Sequence, residues 1–81
     1  MPTIHTSSRF ERQYAKLPPQ ARRAIRRALR YFDQPSRTCA LARYAGLYEL
    51  RAGLWRVTWH YSEDGAIVLR AVGRHDILAK P

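Results

Sequence analysis

The sequence predicts an α+β domain: a short N-terminal strand, a helical hairpin, then a three-stranded antiparallel meander with the helices packed on one face. Three observations carry this. An apolar stripe with helical spacing runs through residues 21–32. Three runs rich in aromatic, β-branched and aliphatic residues follow it, GLYELR, LWRVTWHY and AIVLRAV, divided by glycine-containing turns. The chain has 81 residues, so one domain over 1–81 is expected, and a domain of that size buries only about 60% of its unfolded surface.

Residues 3–6, TIHT, suit the first strand. In SSRFERQYAKL, Ser8 followed three residues later by Glu11 predicts a capping box, and Phe10, Tyr14 and Leu17 share one helix face. Pro18 and Pro19 end that helix and open the next. There Ala21, Ala24, Ile25, Ala28, Leu29 and Phe32 follow core-facing spacing. Residues 34–46, QPSRTCALARYAG, read as a loop. Asp64-Gly65 is a strong hairpin signal. A two-residue turn at Ala52-Gly53 would pair Arg51 with Leu54, setting Glu49 opposite Arg56 and Leu47 opposite Thr58.

The formal charge is +9, which attracts polyanions: nucleic acid, a membrane surface or an acidic partner protein. Arg22, Arg23, Arg26, Arg27 and Arg30 cover the polar side of the second helix. They suit phosphate contacts that do not read bases, or else form a solvated face. Only Asp33 is acidic in this helix, so the like charges repel and i,i+4 pairs cannot relieve them. Cys39 is alone, so no internal disulfide forms, and it is expected to be a small buried or semi-buried hydrophobe. The start MPTIHTSSRF lacks an apolar leader and no apolar run reaches a membrane span of about 18 residues, so a cytoplasmic protein without a membrane partner is expected. Three scattered histidines and one cysteine show no metal-ligand spacing, and glycine-rich phosphate motifs are absent; no cofactor is expected.

Side-chain alternation gives the meander two faces. Tyr48, Leu50, Trp55, Val57, Trp59 and Tyr61 form a face for the helices to cover, and parity places Arg70 with them. Leu47, Glu49, Arg51, Leu54, Arg56, Thr58 and His60 share the other face, expected to be open. That row suits a negatively charged ligand; the alternative is a cross-strand Glu49–Arg56 ion pair on an exposed sheet. Beyond the last strand, Gly73 lets the backbone turn, and Arg74, His75 and Asp76 arrive together. His75 is the one group of that cluster that titrates near neutrality when unperturbed.

With these residues in place, the chain resembles the RelE/ParE superfamily of small bacterial toxins from type II toxin-antitoxin systems. The resemblance rests on RFERQYAKLPPQARRAIRRAL, on GLYELRAGLWRVTWHY with its ELR-x-G-x-x-R-V spacing, and on IVLRAVGRHD. It implies a toxin with a cognate acidic antitoxin, possible assembly with it as a hetero-oligomer, and the ribosome and mRNA as targets. The RelE branch implies metal-independent, ribosome-dependent mRNA cleavage. Alternatives are a ParE-type inhibitor of DNA gyrase without catalysis and a non-toxic basic nucleic-acid-binding module. By resemblance, Arg56 stands at the active-site arginine and His75 at the catalytic arginine or histidine after the last strand. Arg51 and Arg74 would assist, and Glu49 would accept a proton or orient Arg56. Phosphate contacts fall to His60 and the helix arginines. Glu49 replaces a lysine of RelE, and Ile77, Leu78 and Ala79 stand where some relatives carry a tyrosine.

Overall fold

The computed structural model describes residues 3–33, 39–40 and 44–81. In chain order the elements are β1 (Ile4–Thr6), α1 (Ser8–Ala15), α2 (Pro19–Ala28), a 3-10 turn (Leu29–Asp33), β2 (Cys39–Ala40), β3 (Tyr48–Ala52), β4 (Trp55–Tyr61), β5 (Ile67–Gly73) and a second 3-10 segment (His75–Ala79). The sheet runs β1-β5-β4-β3-β2, with β1 parallel to β5 and the other pairs antiparallel. The α+β layout matches the expectation. The short β2 lies inside the segment expected to be loop, where Cys39 faces Glu49 across the ladder. Residues 34–38 and 41–43 of that segment, and the expected burial of Cys39, lie outside the described residues.

The cap of α1 falls one residue earlier than the capping box implies. Ser7 accepts from the Phe10 amide at 3.0 Å, and its hydroxyl donates to the Arg70 carbonyl at 2.7 Å, tying the helix start to β5. Glu11 then sits too far along to reach back. Pro19 opens α2, where its missing N–H costs no hydrogen bond. Ala21, Ile25 and Ala28 are buried beneath α2, and the 3-10 turn brings in Phe32. Ile25, Ala28 and Phe32 share one core with Leu50, Val57, Trp59, Leu69 and Val72 from the sheet.

The β3–β4 register differs from the expectation by two residues. Arg51 faces Arg56, Glu49 faces Thr58, and Ala52 faces Trp55, so the turn is Gly53-Leu54, with Gly53 at φ +64°. The physical reason is that two-residue hairpin turns need a positive φ at their first central position, which puts glycine first. Because side chains repeat every two residues, a slip of two leaves each on its face. Only Leu54 leaves the row: it is 69% exposed at the turn.

A second correction concerns β5. Thr58 faces Ala71 but Trp59 faces Leu69, so Arg70 is the extra residue of a β-bulge. The bulge breaks the alternation and brings Arg70 to the polar face, where Nη1 lies 3.3 Å from His60 Nδ1. Along the edge of β5, α1 takes over where β1 stops: the Ser7 amide donates to the Leu69 carbonyl and the Gln13 side chain accepts from the Val72 amide, each at 2.9 Å.

Nor is the polar face fully open. The C-terminal segment crosses it, burying Ile77 and Pro81. Thr58, fully buried, donates to the backbone oxygen of Pro81 at 3.0 Å, and the Tyr44 hydroxyl donates to the Ala79 carbonyl at 3.0 Å. Gly73 permits this seating, since a Cβ there would come within 2.6 Å of Ile77 Cγ2. Gly73→Ala is therefore expected to displace the segment and cost about 1–3 kcal/mol, as overpacking does. Urea unfolding checks this, and a neutral result would show that Ile77 is not seated against β5. Among the described residues no helix is long and apolar enough to cross a membrane.

Candidate functional site

Arg56 projects from β4 on the side of the sheet away from the helices. Its Nη1 donates to the Gly53 carbonyl at 2.8 Å and the Trp55 carbonyl at 3.0 Å, which anchors the guanidinium at the β3–β4 turn. Its Nε lies 3.0 Å from Glu49 Oε1, an ion-pair contact without hydrogen-bond alignment. The same oxygen accepts from Arg51 Nε at 3.1 Å. One carboxylate thus serves two arginines, leaving a net positive charge. Glu49 is buried, so this is not the exposed cross-strand pair of the bland alternative; the half-buried Arg56 and its carboxylate hold one another out of bulk water.

Arg56 lines a cavity of about 690 Å³ with Gln13, Lys16, Arg74, His75 and Asp76. Leu54, Val72, Gly73 and Ile77 complete its walls. The Arg74 guanidinium sits 5.2 Å above the Trp55 ring, a cation–π contact that holds it at the rim. His75 and Asp76 are exposed at the start of the last 3-10 segment. Lys16, Arg56, Arg74 and His75 therefore face one space, together with the Asp76 carboxylate. Lys16 and Gln13 were not among the sequence candidates. Their signal was the i, i+4, i+7 spacing of Arg9, Gln13 and Lys16, a polar stripe on α1.

Other candidates lie elsewhere. Arg51, largely exposed, borders a separate groove with Arg27 and Gly53. Ala21, Ile25 and Ala28 bury one side of α2 on the sheet and leave Arg23 and Arg26 exposed, whereas Arg27 reaches the groove beside Arg51. Arg26 donates to the Tyr14 hydroxyl at 2.9 Å. Among the described residues, the ion pairs are the two made by Glu49. Among the same residues, no three His, Cys, Asp or Glu side chains converge as metal ligands.

His60 lies beyond Thr58 on β4, beside Arg70 and away from His75. Burial, then the neighbouring Arg70 charge, holds its pKa below the ordinary histidine value. A guanidinium only donates, so Nδ1 is the acceptor and the imidazole is neutral. Unfolded chains then bind more protons than folded ones just below the ordinary histidine range, so stability falls as pH drops through it. Melting between about pH 7.5 and pH 5.5 is expected to show this modest loss, and His60→Gln is expected to flatten it. An unchanged slope in the variant would reject the assignment.

The fold is RelE-like. The chain is 22% identical to a chain of the toxin-antitoxin complex RelBE2 from Mycobacterium tuberculosis, with a TM-score of 0.78, covering 93% of this chain and 100% of that one. It is similar to a chain of the intact RelBE toxin-antitoxin complex of E. coli at 16% identity, TM-score 0.74, covering 91% and 96%. It is also similar to the YoeB dimer of Staphylococcus aureus at 16% identity, TM-score 0.71, covering 91% and 97%. No family model and no curated protein matches the sequence.

Proposed function

We propose that this chain is the toxin of a toxin-antitoxin pair and that it cleaves messenger RNA on the ribosome. The observation that carries the reading is the cavity on the polar face, where Arg56, Lys16, Arg74 and His75 surround a space open to solvent. The likeness in fold to toxins solved with their antitoxins supports it.

The chemistry follows from the groups present. The 2′-hydroxyl of one nucleotide loses its proton and attacks the adjacent phosphorus. The new P–O2′ bond forms as the P–O5′ bond breaks, and the departing 5′-oxygen takes up a proton. His75, exposed at the cavity rim, serves as general acid or base. Arg56, with Arg74 and Lys16, stabilises the charge that builds on the phosphate oxygens. Glu49 positions Arg56 instead of moving a proton, since Oε1 is engaged by two arginines. Arg51 acts through that carboxylate. The α2 arginines, on the far side of the sheet, contact nucleic-acid backbone outside the cleavage site or an acidic antitoxin segment. Such an antitoxin adds stability by binding the folded state alone.

The test is brief expression followed by mapping of RNA ends on translated messages, for the unaltered protein, Arg56→Ala and His75→Ala. Codon-phased cuts are expected for the first and their loss in both variants. Growth arrest that persists in both variants without such cuts would refute the nuclease reading.

A further inference from the structure

Gln13 borders the Arg56 cavity from α1, about one helical turn before Lys16. Its side-chain oxygen accepts from the Val72 amide at 2.9 Å. A backbone N–H only donates, so this contact fixes which way the side-chain amide is turned: Oε1 lies against β5 and the NH2 end is left over. Among the described residues that nitrogen meets no protein acceptor, and the buried unpartnered side-chain atoms are Arg56 Nε and Trp59 Nε1, so the NH2 end is open to solvent. Completing the edge of β5 accounts for the oxygen of Gln13 and gives its nitrogen no task. We propose that Gln13 is a specificity-determining residue whose NH2 donates to the keto oxygen of a nucleobase beside the scissile phosphate, admitting guanine or uracil there in preference to adenine or cytosine. The inference rests on the nuclease reading above and adds to it the class of base that is cut.

Three observations favour a base over a further phosphate as the occupant. The first is charge: Lys16, Arg56 and Arg74 already offer cations to a phosphate, whereas Gln13 is neutral. The second is placement. Gln13 bonds the edge of β5 where β1 has stopped, while Arg56 lies on β4 facing Gly73. Two strand spacings separate the two positions, about 10 Å. A base hangs away from the line of phosphates, so one nucleotide presents its phosphate to Arg56 and its base edge to Gln13. The third is the lining: Leu54, 69% exposed at the β3–β4 turn, borders the same space. The flat face of a base suits such an apolar side chain, and a phosphate does not.

The choice of base follows from the direction of the hydrogen bond. Guanine and uracil carry a keto oxygen beside a ring N–H; adenine and cytosine carry an amino group beside a bare ring nitrogen. The free end of Gln13 only donates. An amino group set against it leaves two donors face to face, each having given up water. Asp76 supplies the matching half, since its carboxylate borders the same cavity and accepts the ring N–H of the keto bases.

The experiment measures cleavage on ribosomes programmed with codons varied one base at a time, for the unaltered protein, Gln13→Glu and Gln13→Met. At one codon position the unaltered protein is expected to cut guanine over adenine and uracil over cytosine by roughly tenfold. Gln13→Glu keeps an oxygen for the Val72 amide and turns the free end from donor to acceptor, so the preference is expected to reverse toward adenine and cytosine. Gln13→Met removes the donor and is expected to level the preference. Each ratio is taken within one protein, so a uniform loss of activity or stability leaves it unmoved. Codon-phased cuts without a keto preference, or either variant keeping the unaltered preference, would refute the base contact and leave the nuclease reading standing. Absence of codon-phased cuts by the unaltered protein would refute both.

Discussion

Arg56→Ala is expected to slow ribosome-dependent cleavage about 10²–10³-fold, the usual loss when one preorganised donor to developing negative charge is removed. The effect should appear in the chemical step, because Lys16 and Arg74 still line the cavity and retain attraction for the strand. Arg56→Lys separates geometry from charge. A lysine keeps one positive charge but not the fork that now spans the Gly53 and Trp55 carbonyls and the Glu49 carboxylate. Recovery of less than about a tenth of the rate by lysine would show that orientation dominates. His75→Ala is the companion, with an expected loss of about 10²–10⁴-fold and of one limb of the pH–rate profile. Single-turnover cleavage on programmed ribosomes measures all three, and rates within threefold of the unaltered protein would remove these side chains from the chemistry.

Trp59→Ala is expected to destabilise the fold by about 3–5 kcal/mol, the range for large aromatic truncations in cores. Trp59 is the largest fully buried side chain. Its ring meets Phe32 edge-on at 4.8 Å, stacks on Tyr48 at 4.7 Å and meets Tyr61 edge-on at 5.0 Å. One residue therefore joins the end of the helical layer to two strands. Its Nε1 has no hydrogen-bond partner among the described residues, so the loss is one of packing and apolar burial. For a domain of this size the total stability is on the order of 4–12 kcal/mol, so the variant should melt about 15–25 °C lower. A loss below about 1 kcal/mol by urea unfolding would contradict this packing.

The faces of the sheet were legible because alternation is local: Trp55 to Tyr61 display both sets within seven residues. Register was not, since AGLW admits two turn positions until the positive φ of Gly53 decides between them. The bulge at Arg70 was hidden for a different reason. VLRAV contains no glycine or proline to mark an inserted residue, so parity carried Arg70 to the wrong side. Two consecutive serines made the cap of α1 ambiguous, and the contacts of Ser7 with the Phe10 amide and the Arg70 carbonyl distinguish them. The seating of the C-terminal segment was unreadable, because GRHDILAKP has no periodicity and Ile77 finds its place through the absent side chain of Gly73. In the site, Arg56, Arg74 and His75 were found from strand parity, the strand end and the resemblance, whereas Lys16 required reading the polar side of α1 as carefully as its apolar side.

The irregularity in β5 has an evolutionary corollary. Excise residue 70 and Leu69 joins Ala71 directly; the ladder from Tyr61 to Arg56 becomes regular, with every neighbour keeping its side. The sheet carries this arginine as a passenger whose omission would not disturb strand pairing. Among chains that share the ladder, a one-residue difference in length here would distinguish those that keep the guanidinium from those that have dispensed with it.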